Sequence, residues 1–475
     1  MIRFLCHDPD MQRLYDEAVA QSKQNLKHFG NDLVLIEGGG YEKLWLETQP
    51  MGGEMYAGYN LEAAFNNVLL FMQHQREDGR LPGSIQWKGN HVEAQFNKLQ
   101  GFCFPWPALN LYYLMGRPEW YLDMLAGCLE RFDAYLWRTR DSDGDGCLES
   151  FCVYDTGEDN AVRYGDAPNW WEPDEPPRHS RIVPMASMDV MSWSYACRDT
   201  LRAISVIRGD GQEALWAAKA RAVAADLHRI LWDEQRAACF DRDKSGQTIP
   251  VLTHNNLRCM YWGSFTQKMA DRFVREHLIN PQEFWTPLPL PSVSVSDPAF
   301  RNIPENNWSG QCEGLTYQRA IRALENYGYA PLVTRLGKQL FRSVIDGGYH
   351  FTQQFDPFTG KPSLVGADTV REHPLGDGQT QAAYGPTLLS VLEYIAHIYG
   401  VHLHEGEVWF SLGSGLPCEY ERVWRDHRYR IDSDGHAAFL TVDDRPAVYY
   451  PCGQRIITDE RGTLLRTEVI EQSTL

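Results

Sequence analysis

Residues 119–137 read EWYLDMLAGCLERFDAYLW. Tyr121, Leu125, Cys128, Leu129, Phe132 and Leu136 recur at steps of three and four, which places them on one face of a helix. The same period runs through Met11–His28, Leu61–His74, Met188–Ile207, Glu213–Leu231, Phe265–Leu278, Cys312–Tyr327, Pro331–Ile345 and Ala382–Tyr399. The spacing therefore predicts helix after helix over the first four-fifths of the chain. Between them lie long stretches rich in Gly, Pro, Asp and Trp, chiefly Arg138–Pro184, Phe284–Gly310 and Gly347–Gly378. Loops of that length inside a compact domain usually carry function. Many helices joined by such loops predict a ring of helices with a site at one end.

After Gly400 the pattern changes. Val408–Ser411, Tyr420–Trp424, Ala437–Val442 and Ile456–Thr458 are short apolar or alternating runs separated by Gly, Pro and Asp, the signature of antiparallel strands. The expected organisation is a helical catalytic domain over residues 1–400 and a small β-rich appendage over residues 401–475, packed on it because so short a segment builds only a modest core.

The chain has 475 residues and a net charge of −18, which disfavours nucleic acid and anionic membrane surfaces as partners. No apolar run reaches the ~20 residues of a spanning helix, and Met1–Asp8 lacks the pattern of a secretory leader. Eleven cysteines without a C-x-x-C pair suggest reduced thiols in a cytoplasm. With 15 Trp, 23 Tyr and 20 Phe, the chain has the aromatic content for a large core or a sugar-stacking surface.

Four clusters carry chemistry. In Asp141–Glu149, Asp141, Asp143, Asp145 and Glu149 alternate through a Gly-bearing turn, a spacing that suits a hard cation such as Ca²⁺; a solvated acidic turn is the alternative. No organic cofactor is expected. Thr156–Asp166 sets three carboxylates and an Arg in a Gly-containing loop ahead of Trp170-Trp171, and a carboxyl shielded by indole faces can stay protonated near neutrality. Asn306–Tyr317 and Phe351–Gly360, the latter followed by Arg371–Gly378, mix aromatics with amides and carboxylates, the means by which a carbohydrate is stacked and its hydroxyls read.

Taken in order, these clusters resemble the inverting glycoside hydrolases of family 63 and their mannosylglycerate-hydrolase-like branch, with trehalases more distant. The likeness spans roughly Gly52 to Gly400. It rests on Gln75-x-x-Asp78-Gly79-Arg80-Leu81-Pro82, Asp143–Gly146, Thr156–Tyr164, Met188–Met191, Cys239–Asp241, Glu283–Trp285, Leu290–Ser292, Trp308-x-Gly310 and Phe355–Gly360. The resemblance implies a mainly α chain forming an (α/α)6 barrel, and hydrolysis of an α-linked glycoside with inversion. It assigns Asp159 as general acid and places Asn160, Arg163, Asp166 and Trp308 around the sugar. The acidic turn matches a structural calcium loop. Trp106, Tyr59, Gln353 and Glu313 complete the candidate sugar-binding set.

Two departures stand out. Where relatives carry the basic Glu, this chain has Gln353, and an amide takes no proton from water at neutral pH. Glu372, in a Glu-His-Pro-Leu-x-Asp-Gly run similar to a trehalase segment, is the substitute base; an inverting pair would stand roughly 6.5–9.5 Å apart. Relatives also carry a sugar-gripping Trp-Asp pair that is missing around Gly52–Asn60, so the preferred sugar need not be glucose. An inverting phosphorylase, for which phosphate is already a nucleophile, and a non-catalytic sugar-binding protein on the same fold are the competing expectations.

Overall fold

The computed structural model describes residues 1–304, 307–363 and 383–471. Twelve α-helices are present among them, and the chain is mainly helical up to Gly400. Local sequence sets their limits. Asp8 accepts hydrogen bonds from the amides of Asp10 and Met11 (both 3.0 Å) to start Pro9–Gln24, with Pro9 in the first turn. Ser187 caps Met188–Arg208 through Val190 N–H, and Gly209, at φ +64°, ends it. Glu119–Thr139 buries Tyr121, Leu125, Cys128, Leu129, Phe132 and Leu136, the stripe its periodicity predicts.

The expected helix over Phe265–Leu278 is an α-helix only over Gln267–Phe273, where Thr266 caps it, and continues as a π turn over Val274–Leu278. Three helices have no counterpart in the periodicity: Gln49–Tyr56, Pro105–Leu114 and Asn255–Trp262. All eight residues of Asn255–Trp262 are buried, so no polar face marks it. Short hairpins, Leu26–Phe29 with Asp32–Leu35 and Ser84–Lys88 with His91–Gln95, also punctuate the helical part.

Beyond Gly400 the chain is β. One sheet of four strands contains Val401–His404, Glu407–Leu412, Gln454–Asp459 and Leu464–Val469; a sheet of five contains Cys418–Trp424, His427–Ser433, Ala437–Val442 and Val448–Pro451. The fifth strand of the latter is Ile2–Cys6, from the other end of the chain, antiparallel to Cys418–Trp424 with Phe4 opposite Tyr420. One hydrophobic core runs through helices and sheets alike. The two parts are tied by Trp424 Nε1–H to the carbonyl of Leu114 (3.1 Å) and Arg455 Nη2 to Glu325 (2.7 Å). Among the described residues no helix is long and apolar enough to cross a membrane.

Candidate active site

Gly38, Gly39 and Gly40 follow one another at φ +75°, +62° and +92°, a run that L side chains resist. A Cβ on Gly38 would lie 2.5 Å from the carbonyl oxygen of Ala383 and on Gly39 about 3.0 Å from Tyr384. The backbone closes on itself through paired hydrogen bonds between Gly38 and Tyr41, both 3.1 Å. This tight turn delivers Glu37 and Tyr41 to the wall of a cavity of about 290 Å³, which Trp45, Glu47, Lys98, Asp159, Trp308, Gln353 and Tyr384 also line.

Opposing forces place Asp159 in that cavity. Its neighbour Glu158 is buried and anchored: Arg163, His254 (2.8 Å) and Asn255 (3.0 Å) hold its carboxylate, and the two guanidinium groups of Arg163 and Arg258 keep it well below the usual carboxylate range despite its burial. Among the described residues, no such cation is in contact with Asp159. Asp159 is exposed in surface area, yet the protein packed around its carboxyl desolvates it and pushes it up to about 7. The negative charge of Glu47 adds to the rise and Lys98 opposes it.

Glu47 is itself buried, with Arg319 Nη2 on one oxygen and Gln100 Nε2 on the other, both 3.1 Å. Gly157 and Gly101, both at positive φ, leave it room; a Cβ on Gly157 would lie 2.0 Å from its Oε2. Glu37 accepts the Tyr384 hydroxyl (3.1 Å), and burial next to Glu47 drives its carboxyl well up. Lys98 lies over the rings of Trp45 (5.0 Å) and Tyr154 (5.4 Å), and Lys43 also lies over Trp45 (5.2 Å). Burial, with Lys98 nearby, brings Lys43 down to about 8.

The expected residues divide. Asp159, Trp308 and Gln353 line the cavity. Tyr41 donates its hydroxyl to Gln353 Oε1 (2.9 Å), which fixes the amide. Asn160 takes a bracing role: its Oδ1 accepts Trp308 N–H (3.0 Å) and its carbonyl accepts Ser309 Oγ–H (3.1 Å). Glu313 is fully buried behind the lining, in a strand pair with Gln354.

Four expectations need correction. Arg163 does not line the sugar cavity; it is buried among Glu158, Asp189 (3.0 Å) and Asp241, because three carboxylates need its charge. Asp166 is a surface residue held low by Arg181 and Ser180. Tyr59 stacks on Tyr56 (5.3 Å), away from the cavity. Trp106 lies under Arg322 (4.4 Å) in a separate cavity. Glu372 lies outside the described residues.

In the acidic turn, carboxylate oxygens of Asp141, Asp143 and Asp145 come within 4.8 Å of one another. Glu149 accepts the amide of Ser142 (2.9 Å) instead, and burial pushes it up to about 7. The three Asp oxygens fit a hard cation.

The site joins an aromatic wall to a carboxyl poised near neutrality and to amides and carboxylates, the equipment of a glycoside hydrolase. The chain belongs to the family of mannosylglycerate hydrolase MGH1-like glycoside hydrolase domains, whose model matches residues 56–379. Among solved structures it is similar to the GH63 mannosylglycerate hydrolase of Thermus thermophilus in complex with glucose, at 18% identity and a TM-score of 0.62, covering 80% of this chain and 99% of that one. The same enzyme in complex with Tris and D-glycerate matches at 0.61 over 80% and 99%, again at 18% identity. The neutral trehalase of Saccharomyces cerevisiae matches at 0.52 and 13% identity over 80% of each chain. No curated protein matches.

Proposed function

We propose that this glycoside hydrolase has an (α/α)6 barrel as its helical part and cleaves an α-linked glycoside with inversion, Asp159 protonating the departing oxygen. The observation that carries the reading is the Asp159 carboxyl on the wall of an aromatic-lined cavity, where the protein around it and the charge of Glu47 push it up to about 7. At neutral pH such a group is protonated in a large share of molecules and ready to give the proton up. Trp170, the exposed indole of the cavity wall, offers a ring face for a pyranose, and Gln353, locked by Tyr41, offers an amide to a hydroxyl.

The base is assigned to Glu372. Gln353 is an amide, Glu47 has both oxygens engaged by Arg319 and Gln100, and burial drives Glu37 towards its neutral form. Lys43 and Lys98 favour a substrate whose leaving group carries an anionic group, as D-glycerate does in the Thermus complex. The same pair of cations supports the second reading, in which phosphate is the nucleophile. The Asp141–Asp145 turn would hold a structural calcium ion, and eleven cysteines outside any disulfide suit a reducing cytoplasm.

Proton NMR of the fresh reaction mixture separates these readings. Hydrolysis with inversion gives the β-anomer of the free sugar first, at a rate indifferent to phosphate. Appearance of the α-anomer first overturns inversion, and a sugar 1-phosphate formed only with phosphate moves the chain to the phosphorylase reading.

A further inference from the structure

A second polar cluster sits where the last helix of the helical part, Gly385–Tyr399, passes into the first strand of the β part, Val401–His404. Glu393 and His397 are one turn apart on the helix, and the chain reversal at Gly400 brings His402 back against them. Glu393 Oε1 is 2.9 Å from His397 Nε2 and 2.8 Å from His402 Nδ1. The two imidazole rings are 4.3 Å apart between centroids. All three side chains are buried, at 7%, 2% and 9% relative exposure.

Two details distinguish this cluster from an ordinary buried hydrogen-bond network. His402 Nδ1 stands 2.8 Å from Glu393 Oε1 but off the angle of a good hydrogen bond, and among the described residues it has no other partner, so this buried nitrogen is poorly satisfied. On the far side of the cluster, His397 Nδ1 is 2.8 Å from Glu325 Oε1, and Glu325 is in turn held by Arg455 Nη2 at 2.7 Å. A carboxylate behind one nitrogen of an imidazole fixes the tautomer and raises the basicity of the other nitrogen, the usual arrangement around a metal-ligating histidine. A small cavity of about 50 Å³, lined by all three residues together with Glu54 and His404, leaves space for a further ligand such as water.

We infer that Glu393, His397 and His402 form a binding site for a divalent transition-metal ion of the zinc class, which pins the helical part to the β part. Two imidazoles and a carboxylate are a borderline-soft donor set that suits zinc better than calcium or magnesium. A tetrahedral zinc ion would separate neighbouring donor atoms by about 3.3 Å, so the present contacts need to open by roughly half an ångström. The ion takes the place of the proton on His397 Nε2, which is released to solvent, and His402 ligates through Nδ1 as the neutral tautomer that carries its proton on Nε2. Acidic side chains surround the site: Glu325 backs His397 at 2.8 Å, and Glu54 lines the same small cavity. The site shares no lining residue with the Asp159 cavity, so its occupancy is independent of the proposed chemistry there.

The test is the metal content and cobalt spectrum of the full-length protein, with any affinity tag removed. After incubation with zinc and exhaustive dialysis, elemental analysis should find one equivalent per chain. Cobalt(II) in its place should give the intense visible absorption of a four-coordinate site. His402→Gln should lose the equivalent and the absorption. Glu325→Gln, which only removes support for His397, should weaken zinc affinity by about 10–100-fold. Asp143→Asn, in the acidic turn, should leave both readouts unchanged. The inference fails if the wild-type protein retains no zinc and gives no cobalt absorption, or if His402→Gln binds as the wild type does. Should His402→Gln not fold, the wild-type cobalt spectrum and the Glu325→Gln affinity decide alone.

Discussion

Asp159→Asn lowers kcat by about 10²–10⁴-fold on a glycoside whose leaving group needs a proton, the usual worth of a general acid. The melting temperature stays close to that of the wild type, because a neutral amide replaces a carboxyl that its surroundings already push towards neutrality. The size of the loss depends on the leaving group. A glycosyl fluoride, which departs without full protonation, is cleaved by the variant at a far larger fraction of the wild-type rate. That contrast separates a proton donor from a residue that merely holds the sugar, whose removal slows both substrates alike. Circular dichroism on the same samples checks that the fold is intact, and equal losses on both substrates would remove Asp159 from the acid role.

Arg163→Met destabilises the protein by about 3–5 kcal/mol, the cost of removing one partner from a buried ion cluster. The side chain pairs with Glu158, Asp189 and Asp241 at once, all of them buried. Of the cations around these carboxylates, Arg258 stands farther off, 3.6 Å from both Glu158 and Asp189, and burial brings His254 down to about 4, so it is neutral. Removing Arg163 therefore leaves about two uncompensated charges where water cannot reach them. Urea denaturation of the two proteins measures the loss directly. If Arg163 instead touched the sugar, the variant would raise KM at unchanged stability.

That cluster shows why some of the site was legible in the sequence and some was not. Arg163, Asp189 and Asp241 lie in separate family-like motifs, and their linear order was readable, but a motif does not say whether its charges face a ligand or one another. The three converge into one buried knot that holds the Glu158–Asp159 turn in place, so the pattern reflects support of the site. Glu37 and Glu47 escaped notice for a different reason. Both precede residue 56, where the family match begins, and neither lies in a motif. The available signal was the Gly38-Gly39-Gly40 run, which three positive φ angles and close contacts to Ala383 and Tyr384 require. At the level of the fold, long helices with one buried stripe were readable. Asn255–Trp262, buried all round, offered no period to detect. The strand Ile2–Cys6 depends on a partner at the far end of the chain, which no local pattern reveals.

The Asp159 carboxyl is held near neutrality by the protein crowded around it in the cavity and by the charge of Glu47. The pH dependence of kcat/KM in wild type and in Glu47→Gln tests it most directly. Activity that needs protonated Asp159 is full below its pKa and falls as pH rises through about 7. With the Glu47 charge gone, the carboxyl ionises more readily, so the alkaline limb of the variant moves to lower pH. An alkaline limb that stays where it was in Glu47→Gln, or a wild-type rate that does not decline until well above neutrality, would contradict the account.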